Sequence, residues 1–268
     1  VSSATQAPWV PAPLEEVQAA SHAQKPAVVF APHVETASGI ILPDAYLRGI
    51  ADAVHAHGGL FVLDCVASGA IWVDMKACGV DVLISAPQKG WSSTPCAALV
   101  MLSEAGRARV EATTSSSFAI DLKKWLQIMQ AYEGGGHMYH ATLPTDALLA
   151  LRDSMNATRA FGFERARQAQ WDIGLRVRAL LAQHGYPSVA AEGYGAPGVV
   201  VAHTGDPDLH NARKFIARGL QTATGVPLMC DEPADFRTFR IGLFGLDKLA
   251  HPDRTVETLA QAMAAMDR

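Results

Sequence analysis

The segment Leu60–Cys65 (LFVLDC) is apolar at consecutive positions rather than at alternate ones. A strand of that texture needs cover on both faces, which helices flanking a parallel sheet supply. Val80–Ser85 (VDVLIS) and Ala97–Leu102 (AALVML) share the texture, and Ala27–Ala31 (AVVFA) is a shorter buried-strand candidate. Helical patterns lie between them. A weak one covers Leu14–Ala23; another opens at Pro43, keeps Tyr46, Ile50 and Val54 on one face, and stops at Gly58-Gly59. His33–Leu42 reads as a loop. Strands alternating with helices of this length predict βαβ units: an α/β fold with a mostly parallel sheet flanked by helices.

The second half has a different rhythm. A helix runs from Asp121 to Tyr132 and ends at Gly134-Gly135-Gly136, and Pro144 opens a long helical stretch reaching about His184. Val199–Ala202, a helix over Leu209–Thr222, Phe239–Phe244 and a helix over Val256–Met266 follow. This part reads as a smaller α+β domain. The expected division is residues 1–150 and 151–268, with the boundary inside the long helix.

Charge and composition narrow the function. The 268 residues carry 22 basic and 26 acidic side chains, a net charge of −4, which provides no electrostatic footprint for nucleic acid or anionic lipid. Hydrophobic residues at 49% against 18% charged imply a large core and an oligomer interface. No apolar run approaches the ~20 residues that span a bilayer, and no signal-peptide pattern opens the chain. The four cysteines form no CxxC pair, so reduced thiols and a cytoplasmic setting are expected, with Cys65 and Cys78 as packing residues. Val1–Pro13, with three prolines, reads as a linker or the end of something longer.

Two charged residues stand out against this apolar background. Asp64 closes a strand and precedes the small residues Cys65-Val66-Ala67-Ser68-Gly69. Ligands of open parallel sheets sit outside the carboxyl ends of strands, where such a side chain meets them. The commoner fate of a strand-end aspartate is to begin a turn or cap a helix. Lys89 follows the strand Val80–Ile84 in a stretch where, from Val80 to Val100, only it and Asp81 are charged. Burial favours the neutral amine, a nucleophile suited to a Schiff base; the alternative is a lysine that snorkels to the surface. Asp64 and Lys89 lie 25 residues apart, one crossover unit, which lets both face one small molecule. A lysine for an aldehyde and a carboxylate for a pyridine nitrogen are the minimum apparatus for pyridoxal phosphate.

Three elements, H-x-E-T-x-S-G from His33, D-x-V-x-S from Asp64 and S-x-x-Q-K from Ser85, occur in that order within Val28–Glu104. This stretch, together with MYHATLPTDALLALRDS (138–154) and FRIGLFG (239–245), resembles class V aminotransferases of fold type I. Within them the serine/alanine–glyoxylate enzymes are the nearest in pattern. The resemblance implies a pyridoxal-phosphate-dependent aminotransferase acting on a small, alanine- or serine-like amino acid and a keto acid such as glyoxylate or pyruvate. It implies that Lys89 forms the Schiff base and shuttles the proton, that Asp64 pairs with the pyridine nitrogen, and that Val66 presses one ring face. Thr36 would bond the ring's 3-oxygen and Gln88 would lie beside the phosphate. Tyr139 and Thr142 would reach the phosphate of the other subunit, which requires a homodimer with shared sites. Arg240 would clamp the substrate carboxylate.

Each position also has a plainer reading. Thr36 and His33 sit among small polar residues whose side chains usually satisfy nearby backbone groups. Tyr139 reads equally as a half-buried aromatic at a helix–loop junction, and Arg240 has a rival in Arg237. The chain also departs from the family pattern. Pro95-Cys96 stands where the family often has Pro-Gly, and nothing upstream of Ala27 resembles the family's phosphate-gripping glycine/serine loop or its ring-stacking aromatic. Such a segment is therefore expected to precede these residues in the whole protein. Two other functions stay open. A cysteine desulfurase-like lyase would use Cys230, ten residues before Arg240, although that group usually has His where Gln88 stands. A non-catalytic truncated paralogue would serve as a dimerisation or binding partner.

Overall fold

The computed structural model describes residues 6–266. Helix α1 (Leu14–Gln24) leads to β1 (Val28–Pro32), a small hairpin of β2 (Val34–Glu35) and β3 (Ile40–Ile41), and α2 (Asp44–His55). Then come β4 (Leu60–Asp64), the helical turn α3 (Met75–Cys78), β5 (Val82–Ser85), β6 (Leu99–Leu102) and α4 (Glu104–Ala112). These strands form one sheet in the order β1-β4-β5-β6. β1 and β5 both pair parallel to β4, in a register that sets Pro32 and Ile84 beside Asp64. β6 returns antiparallel at the far edge. The carboxyl ends of β1, β4 and β5 therefore share one side of the sheet.

Helix α2 forms as its pattern predicts: Asp44 sits in its first turn, and Leu47, Ile50, Ala51 and Val54 bury one stripe. That stripe meets Phe61, Leu63, Cys65, Cys78, Val80 and Leu83 in the first core. β1 departs from expectation. It is an edge strand whose Val28 and Phe30 are 51% and 58% exposed, because among the described residues nothing covers that face. The stretch read as a loop holds the β2–β3 hairpin, since Val34 and Ile41 pair and both are buried.

Helices α5 (Leu122–Glu133), α6 (Thr145–Phe161) and α7 (Phe163–Gln183) follow, so residue 150 falls inside α6. The long helical stretch is two helices, broken at Gly162, whose φ of +99° no helix accommodates. β7 (Val199–His203), α8 (Pro207–His210), α9 (Arg213–Ile216), β8 (Ala223–Thr224), β9 (Thr238–Gly242), α10 (Leu246–Leu249) and α11 (Pro252–Met266) complete the described chain. The helix expected over Leu209–Thr222 is interrupted by a left-handed Ala212 (φ +65°), and it becomes two short turns. β7, β9 and β8 form a second, antiparallel sheet. Its Val200, Ala202, Phe239 and Ile241 pack on Ile173 and Val177 of α7 and Leu259 and Met263 of α11. Its other face contributes Val199 and Val201 to a third cluster with Val34, Ile41, Ala67 and Ile71. That cluster joins the second sheet to the β2–β3 hairpin and to the segment that follows β4.

One buried carboxylate ties the first sheet to its helices. Asp81 accepts hydrogen bonds from His55 Nε2 (2.7 Å), the Phe61 N–H (2.8 Å) and Ser103 Oγ (3.0 Å). An Asp81→Ala change leaves the buried Phe61 N–H without an acceptor, frees His55 and Ser103 from theirs, and is expected to cost about 3 kcal/mol of unfolding free energy. Urea denaturation checks this.

Candidate functional site

Asp64 is the last residue of β4 and is half-buried. Neighbouring strands hold its main chain from both sides: His33 N–H donates to the Asp64 carbonyl at 2.8 Å, and Cys65 N–H donates to the Ile84 carbonyl at 2.7 Å. Its Oδ1 accepts the Val66 N–H at 2.8 Å, so the aspartate does begin a turn, and its charge stays free of any ion pair among the described residues.

Lys89 lies in the loop that leaves β5, five residues past Ile84. That loop is latched on several sides. Ser92 N–H donates to the Lys89 carbonyl (3.1 Å) and Ser93 N–H to the Pro87 carbonyl (3.0 Å). Ser154 of α6 donates its hydroxyl to the Trp91 carbonyl, and the Leu246 N–H donates to Ser92 Oγ at 2.9 Å. The closest approach is backbone to backbone. A Cβ placed on Gly90 would stand 2.4 Å from the carbonyl oxygen of Gly69, so only glycine allows the two loops to touch. The half-buried Lys89 side chain points its Nζ over the Phe244 ring, 5.4 Å from the centroid, and makes no ion pair among the described residues.

Arg240 comes from β9, opposite Val201 in the register, and so on the face that packs against Val34, Ile41, Ala67 and Ile71. Its Nε donates to the Thr224 carbonyl (2.8 Å), and its Nη1 reaches the Thr36 carbonyl at 3.4 Å. Thr36 is half-buried in the turn between β2 and β3. Glu35 holds that turn by accepting from the Ala37 N–H, Ser38 N–H and Ser38 hydroxyl at 2.7, 2.7 and 2.6 Å. Asp64 with Val66 and the Lys89 loop thus leave the carboxyl ends of adjacent strands, Arg240 meets the Thr36 turn, and exposed Gln88 lies beside Lys89. Tyr139 and Thr142 stand apart, exposed on the connection between α5 and α6. Their hydroxyls lie 3.3 Å from each other, and among the described residues neither bonds to the strand-end cluster.

Burial decides the state of several other groups. It pushes the Cys65 and Cys78 thiols up to about 12 and 11, which keeps both protonated as packing residues. Cys230 is exposed, in a turn where the Glu232 carboxylate accepts the Leu228, Met229 and Cys230 N–H groups. Arg237 precedes Arg240 on the opposite side of Thr238, its carbonyl accepting the Thr204 N–H. Gln170, fully buried on α7, escapes sequence reasoning. Its Nε2 donates to the Pro197 and Leu243 carbonyls (3.2 and 3.1 Å), and its Oε1 would lie 2.6 Å from a Cβ placed on Gly69. Phe244, inside FRIGLFG, was visible as a motif residue but carried no local sign that it would meet Lys89.

The family model for "Aminotransferase class-V" matches residues 10–191, and the chain belongs to that family. It is 30% identical over 163 residues to the alanine–glyoxylate aminotransferase of Oryctolagus cuniculus, a match covering 60% of this chain and 41% of that protein. It is 28% identical over 240 residues to the 2-aminoethylphosphonate–pyruvate transaminase of Burkholderia ambifaria, covering 87% and 61%. The crystal structure of an alanine–glyoxylate aminotransferase from Nostoc sp. superposes with a TM-score of 0.79 at 22% identity, covering 94% of this chain and 65% of that one. Matches of this kind thus take in less than two thirds of the relatives' own length. The fold is that of the fold type I aminotransferases.

Class V aminotransferases depend on pyridoxal phosphate. The residues present fit that cofactor. A half-buried lysine without an ion pair suits an aldehyde, a half-buried carboxylate without a cation suits a pyridine nitrogen, and the Gly69–Gly90 contact keeps their loops together.

His33 supplies a pH test. It is 1% exposed, and burial lowers its pKa from 6.5 to about 4, against a smaller raising effect of Asp44. The unfolded chain protonates this residue first, so its contribution to stability is whole above pH 6.5 and is lost as pH falls toward about 4. The loss amounts to about 3 kcal/mol. Urea unfolding between about pH 7 and about pH 4.5 should therefore show a shallower acid loss in His33→Asn than in the wild type.

Proposed function

We propose that this chain catalyses amino-group transfer with pyridoxal phosphate, from a small alanine- or serine-like amino acid to a small keto acid such as glyoxylate or pyruvate. The observation that carries this reading is the pair Asp64 and Lys89, on the carboxyl-end side of adjacent parallel strands, each half-buried and each without an ion pair among the described residues. The rabbit and Burkholderia relatives, named for glyoxylate and pyruvate, support the choice of acceptor.

When bound, the cofactor supplies an electron sink for the bonds at the substrate's Cα. The chain's own residues do the rest. Lys89 would hold the cofactor's aldehyde group and would move the proton at the substrate's Cα as general base and general acid. Asp64 keeps the ring nitrogen protonated by its negative charge. Val66 would pack on a ring face, Thr36 would bond the 3-oxygen, and Gln88 would lie beside the phosphate. Arg240 presents its planar fork to the substrate carboxylate, which orients the Cα–H bond. Its site is anchored by the backbone carbonyls of Thr36 and Thr224.

The assembly in this reading is a homodimer in which Tyr139 and Thr142 reach the partner's phosphate. Their exposure, together with that of Phe118, Ile120, Met129 and Tyr132, supports a covering second copy. The residue division 1–150 and 151–268 separates the cofactor-binding part from the part that brings Arg240. Four free thiols support a reducing, cytoplasmic setting, and no helix among the described residues is long and apolar enough to cross a membrane.

The test uses the full-length protein. Added pyridoxal phosphate should give a visible absorbance band that L-alanine or L-serine bleaches and glyoxylate or pyruvate restores. Lys89→Ala should lose the band and at least about a thousandfold in turnover, or about 4 kcal/mol. Cys230→Ser should keep both. A band that survives in Lys89→Ala overturns the reading, and sulfide released from cysteine and lost in Cys230→Ser would select the desulfurase instead.

A further inference from the structure

His33 lies directly after β1 and is 1% exposed, yet no role above uses its side chain. Its main-chain N–H donates to the Asp64 carbonyl at 2.8 Å. Its Nδ1 lies 2.7 Å from the hydroxyl of Ser68. Ser68 is the far end of the same turn, and its own N–H donates to the Cys65 carbonyl at 3.2 Å. Within that turn the Asp64 Oδ1 accepts the Val66 N–H. The residue that follows the neighbouring strand thus grips the Asp64 turn at both ends, once through backbone and once through a ring.

We propose that His33, acting through Ser68, is a positioning residue that sets the direction in which the Asp64 carboxylate leaves β4. This rests on the reading that Asp64 meets the cofactor's ring nitrogen. Two physical consequences follow. A turn held at both ends cannot swing, so the second carboxylate oxygen keeps one bearing. The imidazole is also neutral at physiological pH, because burial outweighs the one facing charge, Asp44 at the start of α2. A neutral ring orients the turn without becoming a counter-ion for Asp64, whose full negative charge stays directed at the cofactor. A lysine or arginine in its place would consume that charge.

The experiment compares wild type, Ser68→Ala, His33→Phe and His33→Asn as full-length proteins. It measures the pyridoxal phosphate dissociation constant, the pH midpoint of the visible band and the unfolding midpoint without cofactor. Ser68→Ala and His33→Phe should weaken cofactor binding about tenfold and move the pH midpoint in the same direction. His33→Asn, whose amide nitrogen reaches Ser68 much as Nδ1 does, should return both toward wild type. A Ser68→Ala protein with unchanged affinity and band overturns the proposal even if its unfolding midpoint drops, because the contact is then structural only. Should His33→Phe fail to fold, Ser68→Ala decides. A wild type without a Lys89-dependent band removes the underlying functional reading and this proposal together; a wild-type band left unaltered by Ser68→Ala removes this proposal alone.

Discussion

Parallel pairing of β4 with β5 makes their carboxyl ends coincide, and the rest of the site takes its position from that ladder. Asp64 stands beside Ile84, and the next backbone N–H, of Cys65, bonds the Ile84 carbonyl. A slip of one residue would send the Asp64 side chain to the opposite face of the sheet and its turn with it. The Lys89 loop departs from the same end and comes to rest against Gly69, where two glycines allow backbone to touch backbone. A carboxylate and an amine are thereby held at one end of the sheet, by hydrogen bonds and close packing, without pairing with each other.

The second sheet reaches this place by alternation along its own strands. Phe239 and Ile241 of β9 point into the core built on α7 and α11, so Arg240 between them points the other way. On that face Val199 and Val201 pack with Val34, Ile41 and Ala67. This apolar contact sets the guanidinium against the Thr36 turn, and Leu246 and Phe244 lean on the Lys89 loop from the same strand end. An arginine 204 residues from Thr36 in sequence is brought against its carbonyl by ordinary core packing.

Asp64 and Lys89 were legible because a charged side chain in a run of apolar neighbours is costly and so informative by itself. Strands β4, β5 and β7 and helix α2 were legible for the matching reason, that their periodicity is local. Thr36, Tyr139 and Arg240 entered only through family resemblance, and nothing in their own neighbourhoods distinguished them from satisfied loop or surface residues. His33 shows why the remainder was hidden. In sequence it sits among small polar residues and looks like a loop histidine. Its burial comes from being the residue after β1, pressed against a turn of β4 that begins 31 positions later. The break at Gly162 and the left-handed Ala212 were masked likewise, since helical periodicity on both sides runs through them.

The sequence by itself determined the alternation of strands and helices, the α/β class and the two charged residues at strand ends, because each depends on near neighbours and on the cost of burying charge. Only the tertiary structure decided that β6 turns back antiparallel, that Arg240 faces Thr36, that Phe244 lies under Lys89 and that His33 grips the turn behind Asp64. Those outcomes depend on register and on which surfaces meet, and contacts between residues far apart in the chain leave no periodic trace along it.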